Sequence, residues 1–145
     1  MRLVIEPARP EVVPAVLDLL ARAKLPESGL RENVATLLVA WQDGRLVGCA
    51  ALELYGSSAL LRSVAVDEAC RGQGIGRCLT DAALIAAKHH GVSQVYLLTE
   101  TAPAFFASQG FRTIDRAEVP PAVQASPEFS WACCQSARAM TRPLD

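Results

Sequence analysis

The chain has 145 residues, 51% of them apolar and 20% charged, and its 14 Lys and Arg nearly cancel its 15 Asp and Glu. That length suits one domain, read as residues 1 to 145, around a single core. So even a charge balance argues against nucleic acid as a partner, and no apolar run nears the roughly 18 residues that cross a bilayer, so no membrane partner and a cytoplasmic location are expected.

Residues 2 to 6 read as a short strand without the apolar stretch of a signal peptide. Pro10 to Leu25 then carries Val12, Val13, Val16, Leu17, Leu19 and Leu20 at spacings that leave one apolar helical face. A second short helix is expected over residues 30 to 36, and Leu37 to Trp41 reads as a strand closed by the hairpin signal Asp43-Gly44. Arg45 to Tyr55 is the returning strand, Gly56-Ser57-Ser58 a turn, and Ala59 to Val66 the next strand, which makes an antiparallel meander.

From Gly74 to His90 the spacing turns helical, with Ile75, Cys78, Leu79, Ala82, Ile85 and Ala86 on one stripe and Gly91 as the stop. His89 and His90 end that helix, where a cation suits the dipole. Gln94 to Thr99 is a strand, Pro103 to Gln109 a short helix ended by Gly110, Phe111 to Asp115 a strand, and Ala137 to Arg142 the last strand. These elements predict an α+β or mixed α/β class, with one mixed sheet covered by helices.

The stretch Leu61 to Arg77 runs from an apolar strand through a glycine-dense turn into a helix. Glycines let the backbone turn tightly and approach a ligand, and unpaired amides at the helix start face outward with the positive end of the dipole behind them. A pyrophosphate fits that environment. The triphosphate-binding GxxxxGK[ST] is absent, and the glycines are spaced GxGxG rather than the GxGxxG of dinucleotide folds, with a meander upstream instead of a βαβ unit.

Arg71-Gly72-Gln73-Gly74-Ile75-Gly76 resembles the [QR]-x-x-G-x-[GA] signature of the GNAT family of N-acetyltransferases, at the strand-to-helix junction where that family carries it. The likeness extends over most of the chain, including Val64-Ala65-Val66 before the loop and Ala104-Phe105-Phe106 ahead of Gly110-Phe111. It implies the GNAT fold, a mostly antiparallel mixed sheet splayed in the middle and flanked by helices. It also implies acetyl-CoA as cosubstrate, while no metal is expected because the cysteines lack the further ligands a site would need. The pyrophosphate would lie on the amides of Arg71, Gly72, Gln73, Gly74, Ile75 and Gly76, with Arg77 and the Phe105-Phe106 pair counted among the cofactor contacts. The pantetheine arm would pair like an added strand with Val64, Ala65 and Val66. The cleft would open between Val64 to Val66 and Tyr96 to Glu100.

Direct transfer to an amine requires a neutral nucleophile, a donor to the thioester carbonyl and a path for the proton. The resemblance makes the backbone amide of Val64 or Val66 that donor. Glu53, an acid within the apolar strand beside the cleft, is the first choice of base, since partial burial raises a carboxylate's pKa. Glu100 is the second. Many relatives have Tyr where this chain has Phe106, which cannot protonate the departing thiolate; water, Thr101, Tyr55 or Tyr96 are the alternatives, or the thiolate leaves unprotonated.

Thr99, Thr101, Phe105-Phe106 and the tail from Val119 to Met140 are similar to amino-acid N-acetyltransferases of the N-acetylglutamate synthase and arsenic-resistance-associated type. That implies a small-molecule amine, an amino acid or analogue, as acceptor. Arg62, expected on the same strand face as Val64 and Val66, is the candidate for its carboxylate.

The five cysteines, Cys49, Cys70, Cys78, Cys133 and Cys134, fit neither a disulfide framework nor paired zinc knuckles, and the Cys133-Cys134 pair lacks the two further ligands a zinc site needs. Trp41 and Trp131 are read as packing a core or a homodimer contact. A non-catalytic acyl-CoA sensor and a protein or peptide N-acetyltransferase would carry the same phosphate loop, and turnover separates the first of these from an enzyme.

Overall fold

The computed structural model describes residues 2–25, 27, 30, 35–126, 129 and 137–145. β1 (Leu3–Pro7) is followed by a 3-10 turn (Pro10–Val12) and α1 (Val13–Arg22). Pro14 sits in the first turn of α1, where its missing N–H costs nothing, and Val16, Leu19 and Leu20 form the buried stripe. The helix ends earlier than predicted because Lys24 turns left-handed at φ 59°. Of the expected second helix, residues 31–34 lie outside the described residues, while Thr36 already belongs to a strand.

β2 (Thr36–Gln42) and β3 (Arg45–Tyr55) are joined by Asp43 and Gly44 at φ 52° and 81°, a pair of positive angles whose twist matches that of the flanking strands. β4 (Ser58–Val66) completes the meander and leads to α2 (Ile75–His89). The buried row on α2 is Ile75, Leu79, Thr80, Ala83, Leu84 and Ala87. The expected stripe is thereby rotated: Cys78 is exposed and Ile85 is 60% exposed, because small residues in the Leu79-Ala83-Ala87 row let the helix lie close to the sheet. β5 (Gln94–Thr99), α3 (Pro103–Ser108), β6 (Arg112–Ile114), α4 (Pro121–Gln124) and β7 (Arg138–Pro143) follow.

The sheet has seven strands in the order β1-β2-β3-β4-β5-β7-β6. β4 and β5 are parallel and every other neighbouring pair is antiparallel, so the fold is mixed α/β with an open sheet. One face buries Leu52, Leu61, Leu79, Leu97, Phe106 and Phe111 beneath α2 and α3, and the other buries Val16, Leu20, Val39, Cys49, Ala51 and Ala65 beneath α1. A third cluster (Leu60, Ile114, Val119, Val123, Ala139) lies beside α4.

Two irregularities shape the centre. Cys49 pairs with Ala65 but Ala51 with Arg62, so Ala50 faces both Ser63 and Val64, and β4 carries a bulge of one extra residue. β4 and β5 pair only from Ser58/Gln94 to Leu60/Tyr96, and beyond that register they part.

Candidate active site

The turn after β4 is built for a bare surface. Gly72 and Gly74 sit at φ 84° and 82°, and a Cβ added at either would meet nothing within 4 Å, so backbone angle rather than crowding demands glycine there. α2 starts behind Gly74 with no side-chain cap, and its first intrahelical bond runs from the Cys78 amide to the Gly74 carbonyl at 3.1 Å. The amides before it have no acceptor within the helix and carry the positive end of the dipole. Gln73 does not cover them: its Oε1 accepts from Gln42 Nε2 at 3.0 Å. Arg71, Gly72, Gln73, Gly74 and Arg77 are exposed, whereas Ile75 anchors the turn in the core. An anion can therefore reach the loop amides directly.

The Asp67 carboxylate accepts from the Ala69 amide at 3.0 Å, and Arg22 of α1 approaches it at 3.5 Å; these contacts, the amide first, hold its carboxyl below the usual range. Between α1 and this turn lies an open recess of about 450 Å³ lined by Leu19, Arg22, Ala23, Val66 to Ala69 and Arg71.

The Asp67 amide donates to the Val47 carbonyl of β3 at 2.7 Å. Alternation along a strand then turns the N–H and C=O groups of Val66 away from β3, toward the gap where β5 has diverged, with the bulged Val64 two residues before it. The Val66 carbonyl on that edge accepts from Arg71 Nε at 3.2 Å. The side chains of Val64 and Val66 are half-buried against the α2 core, and Ala65 faces α1.

The bulge corrects two expectations. An extra residue reverses the inward-outward alternation, so Arg62 lies on the opposite face from Val64 and Val66, the face of Ala51, its partner on β3. There Arg62 is buried, and its Nη1 donates to Glu53 Oε2 at 2.9 Å. Glu53 is fully buried rather than partly so, and its Oε1 accepts from the Tyr55 hydroxyl. Burial first, and then the Glu53 carboxylate, push the Tyr55 phenol well above its ordinary pKa; Ser126 is also bonded to it.

Sequence reading overlooked Ser63. Its Oγ accepts from Arg62 Nε at 3.1 Å and its carbonyl from the Cys49 thiol at 3.1 Å, with its backbone at φ 58°. A non-glycine residue with positive φ leaves no mark in a pattern of apolar spacing; the available signal was the excess of polar groups, Arg62-Ser63, inside a buried strand.

Across the gap, Thr99 is buried and its Oγ1 accepts from the Ala102 amide at 3.1 Å, so that hydroxyl holds the turn before α3. Glu100 and Thr101 are exposed just beyond β5. Phe105 sets its ring against Gly76, 3.4 Å from where a Cβ would stand. Phe106 is a core residue, edge-on to Phe105 at 5.0 Å and to Phe111 at 5.9 Å. Trp41 is half-buried on the outer part of the sheet, with Nε1 donating to Glu6 at 3.2 Å. Trp131, Cys133 and Cys134 lie outside the described residues. Among the described residues no cluster of His, Cys, Asp and Glu could hold a metal, and no helix is long and apolar enough to cross a membrane.

Residues 33–113 match the family model described as Acetyltransferase (GNAT) domain. The amino-acid acetyltransferase of Mycobacterium tuberculosis is 36% identical over 126 residues, 79% of this chain and 71% of that protein. The uncharacterized N-acetyltransferase CT2212 of Chlorobaculum tepidum is 34% identical over 90 residues, and the match covers 61% of this chain but only 57% of the relative. Among solved structures, N-acetylglutamate synthase from Neisseria gonorrhoeae, complexed with coenzyme A and N-acetyl-glutamate, superposes with a TM-score of 0.85 at 21% identity, covering 100% of this chain and 36% of that one. Rv2747 from M. tuberculosis, in complex with CoA and NLQ, gives 0.83 at 29% identity, covering 98% of this chain and 99% of that one.

Proposed function

The chain belongs to the GNAT family of acetyltransferases, and on that premise we propose that it moves the acetyl group of acetyl-CoA to the primary amine of a small amino acid or analogue. The observation that carries this reading is the uncapped start of α2, behind two left-handed glycines, at the mouth of the gap between β4 and β5. The loop amides take the diphosphate, the cleft-facing edge of Val64 to Val66 guides the pantetheine arm, and Phe105 walls the loop from the α3 side.

The donor supplies an activated acetyl thioester, so no covalent enzyme intermediate is required. The Val64 amide donates to the thioester carbonyl as negative charge builds on it. Glu100, exposed just beyond β5, is the carboxylate that would take the amine proton directly, because solvent and acceptor can reach it whereas Glu53 is sealed within the sheet. Phe106 gives no proton, and a thiolate, far less basic than an alkoxide, departs without one. Support for an amino-acid acceptor comes from the 36%-identical amino-acid acetyltransferase. Thr101 and the edge of the gap beside it would meet that acceptor.

Release of free thiol from acetyl-CoA, followed over a panel of amino acids, amines and a lysine peptide, tests the proposal. Release confined to one or a few amino acids is expected. Tight CoA binding with no release under any acceptor would overturn the enzymatic reading in favour of a sensor, and release with the peptide alone would overturn the acceptor class.

A further inference from the structure

The bulge in β4 turns on Ser63, whose φ of 58° is a conformation that L residues other than Asn and Asp rarely adopt. Glycine ordinarily fills that place in a bulge of this kind. Serine there accepts a conformational cost, and its side chain and carbonyl are both taken up in return. Arg62 Nε donates to Ser63 Oγ at 3.1 Å, and Arg62 is itself held at 2.9 Å by a buried Glu53 that Tyr55 braces from the other side. The Cys49 thiol donates to the Ser63 carbonyl at 3.1 Å from the neighbouring strand. The Cys49 thiol holds the carbonyl of the peptide that precedes the Val64 amide, and Arg62, itself held by Glu53, reaches the same residue through its Oγ.

We propose that Glu53, Arg62, Ser63 and Cys49 are positioning residues that fix the left-handed bulge from the α1 side of the sheet and thereby aim the Val64 amide at the thioester carbonyl. The inference rests on the acetyl-transfer reading and adds to it the reason why a buried ion pair lies beneath the strand that lines the gap. Burial pushes the Cys49 thiol up from 9.0 to about 12, so it remains a donor throughout the neutral range.

Ser63→Gly isolates the effect, since glycine adopts the same backbone angle more readily and only the Oγ anchor is lost. With the full chain, acetyl-CoA and the best acceptor from the panel, Ser63→Gly should change the melting temperature little, since the easier backbone angle offsets the acceptor lost by Arg62 Nε. It should lower kcat roughly 10- to 100-fold while leaving the KM for acetyl-CoA within about twofold, the signature of a misaimed transition-state donor. Arg62→Lys, which keeps a cation beside Glu53 but loses Nε, should lower kcat similarly, and the double variant should be no worse than either single one. Cys49→Ala should lower kcat, and Cys49→Ser should recover it. Unchanged kcat in Ser63→Gly alongside an active wild type would overturn this inference alone. A wild type that releases no thiol would overturn the acetyl-transfer reading and this inference with it.

Discussion

Arg71 Nε donates to the carbonyl oxygen of Val66 across 3.2 Å, so the side chain that opens the glycine turn reaches back to the last residue of β4. The contact fixes the angle between strand and loop and sets a cation where phosphates are proposed to lie. Arg71→Ala is expected to weaken CoA binding by about 1 kcal/mol, roughly fivefold in Kd, with a smaller salt dependence than wild type. Calorimetric titration of CoA at two ionic strengths checks this; equal affinity in both proteins would remove Arg71 from the site.

The glycines of the turn are separable by geometry. Gly74 is left-handed with open space around it, so Gly74→Ala should cost about 1–2 kcal/mol through backbone strain alone, and Gly74→Asn less. Gly76 is helical and looks onto the Phe105 ring, so Gly76→Ala should be tolerated whereas Gly76→Leu displaces that ring. Urea denaturation paired with CoA titration should show Gly74→Ala losing both stability and affinity, with Gly76→Ala keeping both. A Gly74→Ala protein as stable as wild type would mean the loop angle is not enforced.

Much of this was legible in the chain. The Asp43-Gly44 hairpin, the meander and the strand-glycine-helix junction each follow from local chemistry, where a left-handed angle calls for glycine or a short polar residue. What stayed hidden depends on register. A period-of-two reading places Arg62 with Val64 and Val66, and the one-residue bulge at Ser63 reverses it. Likewise, β7 slots between β5 and β6, and Glu53 is sealed by Tyr55 and Arg62, through pairings that adjacent residues do not encode.

Cys49 supplies a pH signature. Its thiol is buried and its pKa is raised from 9.0 to about 12 by desolvation, so above pH 9 the unfolded chain loses a proton that the folded chain keeps. The folded state then binds more protons, and stability falls as pH rises through that window. Relative to Cys49→Ala, wild-type stability should therefore decline as pH rises from about 9 toward about 12, so the gap between their urea midpoints narrows or reverses. A gap that stays constant would mean that the thiol titrates normally. In the native protein, alkylation mapped by mass spectrometry should mark the exposed Cys78 and spare Cys49.

The Glu53–Arg62 pair decides whether the buried charges serve packing or aim. Removing one partner strands the other without water, so Glu53→Ala and Arg62→Ala should each cost about 3–5 kcal/mol in urea denaturation. Glu53→Leu combined with Arg62→Met removes both charges and fills the space, and should regain most of that loss. Stability and turnover should then separate: the double variant folds like wild type, yet Ser63 Oγ has lost its donor, so kcat stays low. A double variant in which kcat returns together with the melting temperature would show that the pair supports only the packing of the strand.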